Sequence, residues 1–303
     1  MTQSETQWKS PLATLPGAVA LEDVEGDAAF GVTAHYGDPS GEQWALEAGR
    51  AITDRPDLAV VEVSGSDRLT WLTSISSQVL TGMTPGESRE LLIMNPQGHI
   101  EHACGAIDDG EILYLITEAS DAQALADWLN SMRFALRVEI TISQRWWLLG
   151  SIGDSGVSQC EQVALTWNDP WPGIVDGGAA YYQGKHPGES LAFHIHLVPR
   201  DQAREFWREW SEAAPKRRAA GIAAWEATRI AAWRPRLGHE TDARSMPAEL
   251  DWLRTAVHTN KGCYRGQEAV ARILNLGRPA RRLVFGISMG NCCTTYARTR
   301  IPK

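Results

Sequence analysis

Between residues 58 and 152, short β-branched runs and amphipathic segments follow one another without strict alternation, and this pattern constrains the fold most. Five apolar runs predict strands: LAVVEV, ELLIM, EILYLIT, RVEITI and RWWLLGSI. Two segments carry apolar residues at helical spacing and predict helices: RLTWLTSISSQVL and SDAQALADWLNSMRFAL. A doubly wound parallel sheet would need a helix after each strand. The pattern therefore predicts an α+β fold.

The size and charge of the chain limit the function classes that it can serve. Its 303 residues, of which 43% are hydrophobic, suffice for a large core and favour two domains. The net charge of −8 argues against non-specific nucleic-acid binding, so no stable nucleic-acid partner is expected. No secretory signal and no apolar run long enough to cross a bilayer is present. We therefore expect a cytoplasmic protein without a membrane partner.

The cysteines and histidines do not form a recognisable metal or disulfide pattern. The five cysteines are odd in number and scattered, and Cys104 and Cys160 are interpreted as small hydrophobic residues. His194 and His196 lie two apart on the predicted strand SLAFHIHLV, but no third ligand is evident nearby. No metal site is predicted.

One cysteine stands in a polar setting that separates it from the others. Cys263 lies in NKGCYRGQEAVAR, between glycines and just before a segment with helical spacing. The positive end of a helix favours a thiolate, and Lys261 and Arg265 carry positive charge on either side. The pattern is typical of a reactive, partly exposed thiol. The alternative is a structural loop that tolerates a cysteine, and the neighbouring basic residues fit either an anion site or a solvated face.

Several segments of the chain resemble one known family. KGCYRGQE resembles the K-G-C-[FY]-x-G-Q-E motif of the YgfZ group, folate-binding proteins related to the glycine-cleavage T-protein, an aminomethyltransferase. Residues 60–118 resemble the family's N-terminal half, WEATRIAAWRPRLGHE is similar to its R-x-E-x-G-x-P segment, and MPAELDWL resembles the stretch before the cysteine motif. The resemblance covers about residues 55–285 and is weakest across residues 155–200.

The resemblance implies two intertwined, ferredoxin-like α+β lobes around a central channel, followed in the family by a small C-terminal β-barrel. Carried onto this chain, it places the first lobe at residues 1–142, the second lobe with the cysteine motif at residues 143–284, and a short remnant or aberrant tail at residues 285–303. The tail, which holds Cys292 and Cys293, is too short for a barrel. The barrel is therefore expected to be largely missing, and RRLVFGI to be a strand without a partner.

The resemblance also implies a cofactor, partners and site residues. Tetrahydrofolate or a one-carbon derivative would be the cofactor, and iron–sulfur client proteins would be the partners. Cys263 would be the functional thiol. Ten residues would frame this thiol or bind folate in the channel: Lys261, Gly262, Tyr264, Arg265, Gly266, Gln267, Glu268, Glu226, Arg229 and Glu249.

The stretch after the NPQGH turn departs from the T-protein pattern G-G-I-x-D-D. GHIEHA offers Glu101 one step early, and strict strand alternation would point this side chain to the other face. A carboxylate has to reach the reacting nitrogen to serve as an acid or base. The departure weakens the aminomethyltransferase interpretation.

Three hypotheses for the function result. The leading one is a tetrahydrofolate-binding, YgfZ-like accessory factor that uses Cys263 in the assembly or repair of iron–sulfur proteins, including tRNA-thiolating enzymes. The second is a folate-dependent aminomethyltransferase or methyltransferase of the T-protein type. The third is a non-catalytic scaffold.

Overall fold

The secondary structure is taken from a computed structural model that describes residues 8–22, 30–181, 184–277, 279, 281–287 and 294–300. Cys292 and Cys293 lie outside the described residues. The α-helices of the described residues are α1 (Pro39–Glu47), α2 (Arg68–Ile75), α3 (Ala122–Met132), α4 (Ala203–Glu212), α5 (Ile222–Ala231) and α6 (Gln267–Leu276). Short 3-10 helices include Leu12–Thr14, Val157–Gln159, Arg200–Gln202 and Pro247–Glu249.

The strands of the described residues are β1 (Val19–Ala20), β2 (Thr33–His35), β3 (Ala51–Asp54), β4 (Leu58–Ser64), β5 (Ser88–Met94), β6 (Ile100–Asp108), β7 (Ile112–Glu118), β8 (Glu139–Ser143), β9 (Trp146–Ile152), β10 (Leu165–Asn168), β11 (Phe193–Pro199), β12 (Arg218–Ala220), β13 (Arg281–Ile287) and β14 (Thr294–Arg300). The predicted α+β class is confirmed, and each of the five predicted strands between residues 58 and 152 is present.

The first large sheet has the strand order β5-β6-β7-β4-β8, and its neighbouring strands are antiparallel. Alternate side chains of a strand point to opposite faces. Leu113 and Leu115 of β7 therefore pack with Leu125 of α3 and Leu72 of α2, in one buried cluster. This alternation leaves the other face of the sheet for a second layer.

The second large sheet has the order β10-β11-β9-β3-β12 and packs against that other face. Tyr114 and Ile116 of β7 share a buried cluster with Trp146 of β9 and Phe193 of β11. On the outer side of the second sheet, α4 buries Phe206 and Trp210. The core thus lies between two sheets, with α2 and α3 on one outside and α4 on the other.

The two sheets exchange a strand near the start of the chain. β3 belongs to the second sheet, where it pairs with β9 and β12, whereas β4 belongs to the first sheet. Residues 55–57 connect the two strands and cross from one sheet to the other. This exchange interlocks the lobes, as the predicted intertwining requires.

The end of the described chain is a two-stranded hairpin. β13 pairs with β14 along its length, from Arg281↔Arg300 to Ile287↔Thr294. The expectation of a strand without a partner is therefore wrong, because residues of the tail supply one. In the part of the chain that the structure describes, this hairpin does not close into a barrel.

The helix predicted from RLTWLTSISSQVL is shorter than its apolar pattern indicates. α2 ends at Ile75, and the hydroxyl of Ser76 donates to the carbonyl oxygen of Leu72. Serine hydroxyls compete with backbone groups for such hydrogen bonds, which favours a helix end over its continuation. The residues after Ser76 form a turn, and this turn contacts the cysteine motif, which comes much later in the sequence. Among the described residues, the helices are too short or too polar to cross a bilayer.

Asp54 gives the fold a testable pH dependence. This carboxyl group is 4% exposed, and it accepts a hydrogen bond from Nε1 of Trp147 at 2.9 Å. Burial raises the pKa of Asp54 to about 6. Because the folded pKa exceeds the unfolded value of about 3.9, the folded state loses stability as the pH rises through this interval.

We expect Asp54→Asn to be more stable than the wild type at pH 8, by about 1–3 kcal/mol. The advantage should disappear near pH 4, where the wild-type carboxyl group is protonated. Urea unfolding at both pH values measures the difference. A variant that is less stable than the wild type at pH 8 by as much as at pH 4 would contradict this account.

Candidate functional site

A cavity of about 100 Å³ lies between the two large sheets and opens to solvent. Aromatic side chains form much of its wall: Trp167, Phe193, Trp225 and Trp252. Ala103 and Gly105 of β6 complete one side. A Cβ atom at Gly105 would lie 2.7 Å from the Trp167 ring, so the glycine allows this ring to reach the sheet. Such a wall suits a flat aromatic ligand.

A buried network of charges is centred on Arg236 at one end of the cavity. Its guanidinium binds Asp57 at 2.8 Å, Glu118 at 2.6 Å and Glu226 at 2.9 Å. Arg229 extends the network because it bridges Glu226 and Glu240. These carboxylates come from separate parts of the chain, so the network joins the β3–β4 connection, β7 of the first sheet and α5 to the segment after α5.

The pKa values in this network move in opposite directions. For Asp57, burial opposes ionisation, but Arg55 and Arg236 hold its pKa below the usual range. For Glu118, burial outweighs the attraction of Arg236 and raises the pKa. Glu226 has a lowered pKa because Arg229 and Arg236 overcome its burial. Glu118 is therefore the member of this group that binds a proton most readily.

A second charge cluster surrounds Arg234. Its guanidinium binds Glu90 and Asp169, each at 2.7 Å. Burial raises the pKa of Asp169 to about 6. Nη1 of Arg234 is buried and has no hydrogen-bond partner among the described residues, although buried donors are normally paired. Because Arg234 lines the cavity, this N–H group can receive an acceptor atom of a ligand.

The cysteine motif forms a loop that leads into α6. Cys263 is exposed, and α6 begins four residues later at Gln267. Glu268 lies in the first turn of the helix, where its charge complements the helix dipole. The placement of Cys263 before a helix, inferred from the sequence, is confirmed.

The residues on both sides of Cys263 are anchored to the body of the protein. The ring of Tyr264 is 8% exposed and packs in the cluster that holds Trp252. Gly266 has φ +86° and lies against the turn after β5, so that a Cβ atom there would be 2.8 Å from the carbonyl oxygen of Asn95. Lys261 donates to three backbone carbonyl oxygens at the end of α2. The thiol is thus displayed on a fixed loop.

Glu101 lies on the side of the sheet that carries the cysteine motif. Its carboxylate binds Nη1 of Arg265 at 3.1 Å. The neighbouring His102 points to the opposite side, where Nδ1 contacts Asp121 directly before α3, so these two side chains alternate as expected. A β-bulge in β6 lies at this point. Ile93 pairs with His102 and Met94 pairs with Ile100, which leaves Glu101 as the extra residue.

The cavity and the cysteine motif are separate places in the molecule. None of the described residues from Lys261 to Glu268 lines the cavity. The expectation that these residues contact folate stays a prediction, and such contacts would lie outside this cavity. Tyr264 and Trp252 belong to one buried cluster, and Trp252 is also part of the cavity wall. One layer of side chains connects the two places.

The other predicted channel residues have different positions. Arg229 lines the cavity, and Glu226 lies next to it through the ion pair with Arg229. Glu249 is not among the lining residues: it binds Arg281 of β13 at 2.8 Å and so fastens the terminal hairpin. The residues that sequence reasoning missed are Arg55, Asp57, Glu90, Glu118, Asp169, Arg234 and Arg236. The sequence signal for two of them was the pair of closely spaced arginines in WRPR, Arg234 and Arg236.

The segment after α5 departs from the family pattern R-x-E-x-G-x-P at two positions. When Arg229 and Pro235 are matched to the pattern, Ala231 replaces its glutamate and Trp233 replaces its glycine. Trp233 has φ +58°, a conformation that is costly for a bulky residue. A strained backbone therefore lies directly before Arg234.

The two strand histidines are held by neutral partners. His196 lies between the hydroxyl groups of Ser151 and Thr166, each at 2.8 Å, and Nδ1 of His194 contacts Oδ1 of Asn168 at 2.8 Å. Burial lowers the pKa of His196 to about 3. In the described residues, no three histidine, cysteine or acidic side chains come together as a metal site.

Comparison with known proteins identifies the fold. No protein-family model matches the sequence, and no curated protein matches it. The structure is similar to the crystal structure of glycine cleavage system aminomethyltransferase T from Bartonella henselae, with 18% sequence identity and a TM-score of 0.66. The match covers 89% of this chain and 74% of that chain. The chain therefore has a T-protein-like α+β fold.

Proposed function

We propose that this protein binds a tetrahydrofolate-type ligand in the cavity between its sheets and acts as a YgfZ-like accessory factor. Its task would be the assembly or repair of iron–sulfur proteins, including enzymes that thiolate tRNA. The observation that carries the proposal is an aromatic, arginine-lined cavity at the centre of a T-protein-like fold. The exposed thiol of Cys263 supports it, because a client protein can reach this group.

The residues of the cavity fit one end of a folate molecule. The rings of Trp167 and Trp225 supply apolar aromatic surface at the cavity wall, and Nη1 of Arg234, which has no partner among the described residues, offers a donor for a carbonyl oxygen. The volume of about 100 Å³ is below the range of about 300–1,000 Å³ for pockets that enclose a whole drug-sized ligand. The remainder of the ligand would therefore extend through the opening.

The charges of the cavity favour a neutral group at its inner end. Six carboxylates of the two clusters face four arginines. The carboxylates are Asp57, Glu90, Glu118, Asp169, Glu226 and Glu240, and the arginines are Arg55, Arg229, Arg234 and Arg236. Each of these arginines is already paired with a carboxylate, so an anion buried here would lose its hydration without gaining an uncommitted cation. The ring system of a folate is the neutral end, so its glutamate tail would point outward.

Tetrahydrofolate binding is tested by anaerobic titration with reduced tetrahydrofolate, followed through the fluorescence of the cavity tryptophans. We expect saturable binding in the range of about 1–100 μM, or roughly −8 to −5 kcal/mol. Ala103→Leu, which fills the cavity wall, should weaken binding at least tenfold. Cys263→Ala should bind like the wild type, because Cys263 does not line the cavity. A folded protein that shows no saturable change would overturn the folate proposal and favour the scaffold hypothesis.

The role of Cys263 is tested separately in cells that lack the protein. Complementation with wild type should restore the activity of an iron–sulfur enzyme that thiolates tRNA, whereas Cys263→Ala should restore less than a tenth of it. Cys160→Ala is the matched control, because Cys160 is another free thiol of the described residues but is only partly exposed. Full activity with Cys263→Ala would rule out the thiol mechanism.

A second candidate function is folate-dependent aminomethyl transfer. The observation that favours it is the presence on the cavity wall of two carboxyl groups with raised pKa values, Glu118 and Asp169. Such groups can donate a proton to, or accept one from, the nitrogen atom that carries a one-carbon unit near neutral pH. Glu101 does not offer this chemistry as placed, since it is paired with Arg265 outside the cavity. Glycine-cleavage activity with tetrahydrofolate, abolished by Asp169→Asn, would establish this function instead.

A further inference from the structure

The ammonium group of Lys261 is enclosed by backbone oxygens. Nζ donates to the carbonyl oxygens of Thr73, Ser76 and Gln78, the last at 3.1 Å. The ring of Tyr264 lies on another side, with its centroid 5.0 Å from Nζ. A lysine ammonium has three N–H donors, and all three are used. The three carbonyl oxygens and the Tyr264 ring form a cage around the cation, and its N–H groups are all used within this cage.

The cage exists because α2 ends at this point. The last carbonyl groups of a helix lack partners within the helix and form the negative end of its dipole. Here the chain turns directly after Ile75, so that carbonyl oxygens of the last turn and of the residues beyond it converge. Burial lowers the pKa of Lys261 to about 8, while hydrogen bonds to the charged form act in the opposite direction.

Other hydrogen bonds join the same two segments. The backbone N–H of His258 donates to the carbonyl oxygen of Ser77 at 2.9 Å, and the hydroxyl of Ser77 donates to the carbonyl oxygen of Ala256. Nε2 of Gln78 reaches the carbonyl oxygen of Thr255 at 3.4 Å. On the side of the cysteine motif, these contacts involve Thr255, Ala256 and His258, which approach Cys263 along the sequence. Lys261 makes the last of them, two residues before Cys263.

We propose that Lys261 is a positioning residue for Cys263. Its ammonium fastens the start of the cysteine loop to the end of α2, while Tyr264 and Gly266 fasten the other end. The thiol is exposed at a fixed position because both sides of the loop are held. This inference rests on the proposed function, in which a client has to meet the thiol. Lys261 does not bind a ligand anion, because its donors are taken.

Hydrogen–deuterium exchange of the loop tests the inference without folate or a client. Lys261→Met keeps the aliphatic stem and removes the donors, and we expect exchange in residues 259–265 to become at least tenfold faster. Lys261→Arg keeps a donating cation and should recover most of the protection. Arg265→Met is the matched control, because it removes an equal charge from the same loop but only a half-exposed ion pair with Glu101. Loop exchange in Lys261→Met within twofold of the wild type would overturn the inference.

A spectroscopic measurement on the wild type covers the case in which Lys261→Met does not fold. The chain has five lysines, so the ammonium signals of protein labelled with ¹⁵N-lysine are few. We expect one slowly exchanging ammonium signal, absent in Lys261→Arg. Rapid exchange of every ammonium signal would disprove the cage. These outcomes are independent of the Cys263→Ala complementation, so failure here and failure of the proposed function can be distinguished.

Discussion

Replacing Arg236 with methionine is expected to lower the free energy of unfolding by about 3–5 kcal/mol. The guanidinium is buried and binds Asp57, Glu118 and Glu226, which have little access to water. Its removal takes from Glu118 the cation that this carboxylate binds and leaves Asp57 and Glu226 with Arg55 and Arg229 as their remaining partners. Breaking a buried ion network in this way is strongly destabilising. Chemical unfolding of both proteins at pH 7.5 measures the difference.

The same variant should show a characteristic pH dependence. Without Arg236 the three carboxyl groups have higher folded pKa values than in the wild type, so protonation relieves their burial. The difference in stability between the two proteins should therefore shrink as the pH is lowered from 7.5 towards 4. Arg137→Met is the control: this arginine has a 77% exposed side chain and binds Asp67, and its loss should destabilise the protein far less. Equal losses in the two variants would show that the buried network does not stabilise the fold.

Replacing Gly266 with alanine is expected to destabilise the protein by about 2–4 kcal/mol. The backbone has φ +86° there, which is unfavourable for a residue with a Cβ atom. The new Cβ atom would also lie 2.8 Å from the carbonyl oxygen of Asn95 and 3.0 Å from Cα of Gly98. Both contacts are with backbone, which cannot move aside as a flexible side chain can.

Gly262→Ala provides the comparison within the same motif. No heavy atom of the described residues lies within 4 Å of a Cβ atom built at Gly262, and its φ is outside the left-handed region. This substitution should change stability by less than about 1 kcal/mol. Thermal unfolding of both variants is the measurement. If Gly262→Ala proved as damaging as Gly266→Ala, the contact between the cysteine loop and the turn after β5 would not be the cause.

The sequence predicted the elements whose signals are local. β4 and α3 were evident because their apolar residues recur with periods typical of a strand and a helix. The end of α2 was missed because the apolar pattern continues through Val79 and Leu80, whereas the helix stops where Ser76 bonds back to Leu72. A hydrogen bond of this kind overrides periodicity.

The site was less predictable because its contacts join distant parts of the chain. Lys261 was expected to act on the thiol beside it, but its partners are carbonyl groups at the end of α2 that no side-chain pattern reveals. The ion pair between Glu101 and Arg265 was not foreseen because these residues are far apart in the sequence. Arg236 was missed because each of its carboxylate partners comes from a different segment.

The exchange of β3 between the sheets has a consequence for the protein as it leaves the ribosome. β4 can pair with β7 and β8 once residue 143 has been made, so the first sheet can form early. β3, only three residues before β4, has to wait for β9 and for β12 at residues 218–220. Nascent chains fold largely as successive units. Here the part of the chain that contains the first sheet also contains β3, which is a strand of the second sheet. Neither half of this chain is therefore a complete folding unit, and a nascent chain stalled before β12 would keep one edge of β3 open to other strands.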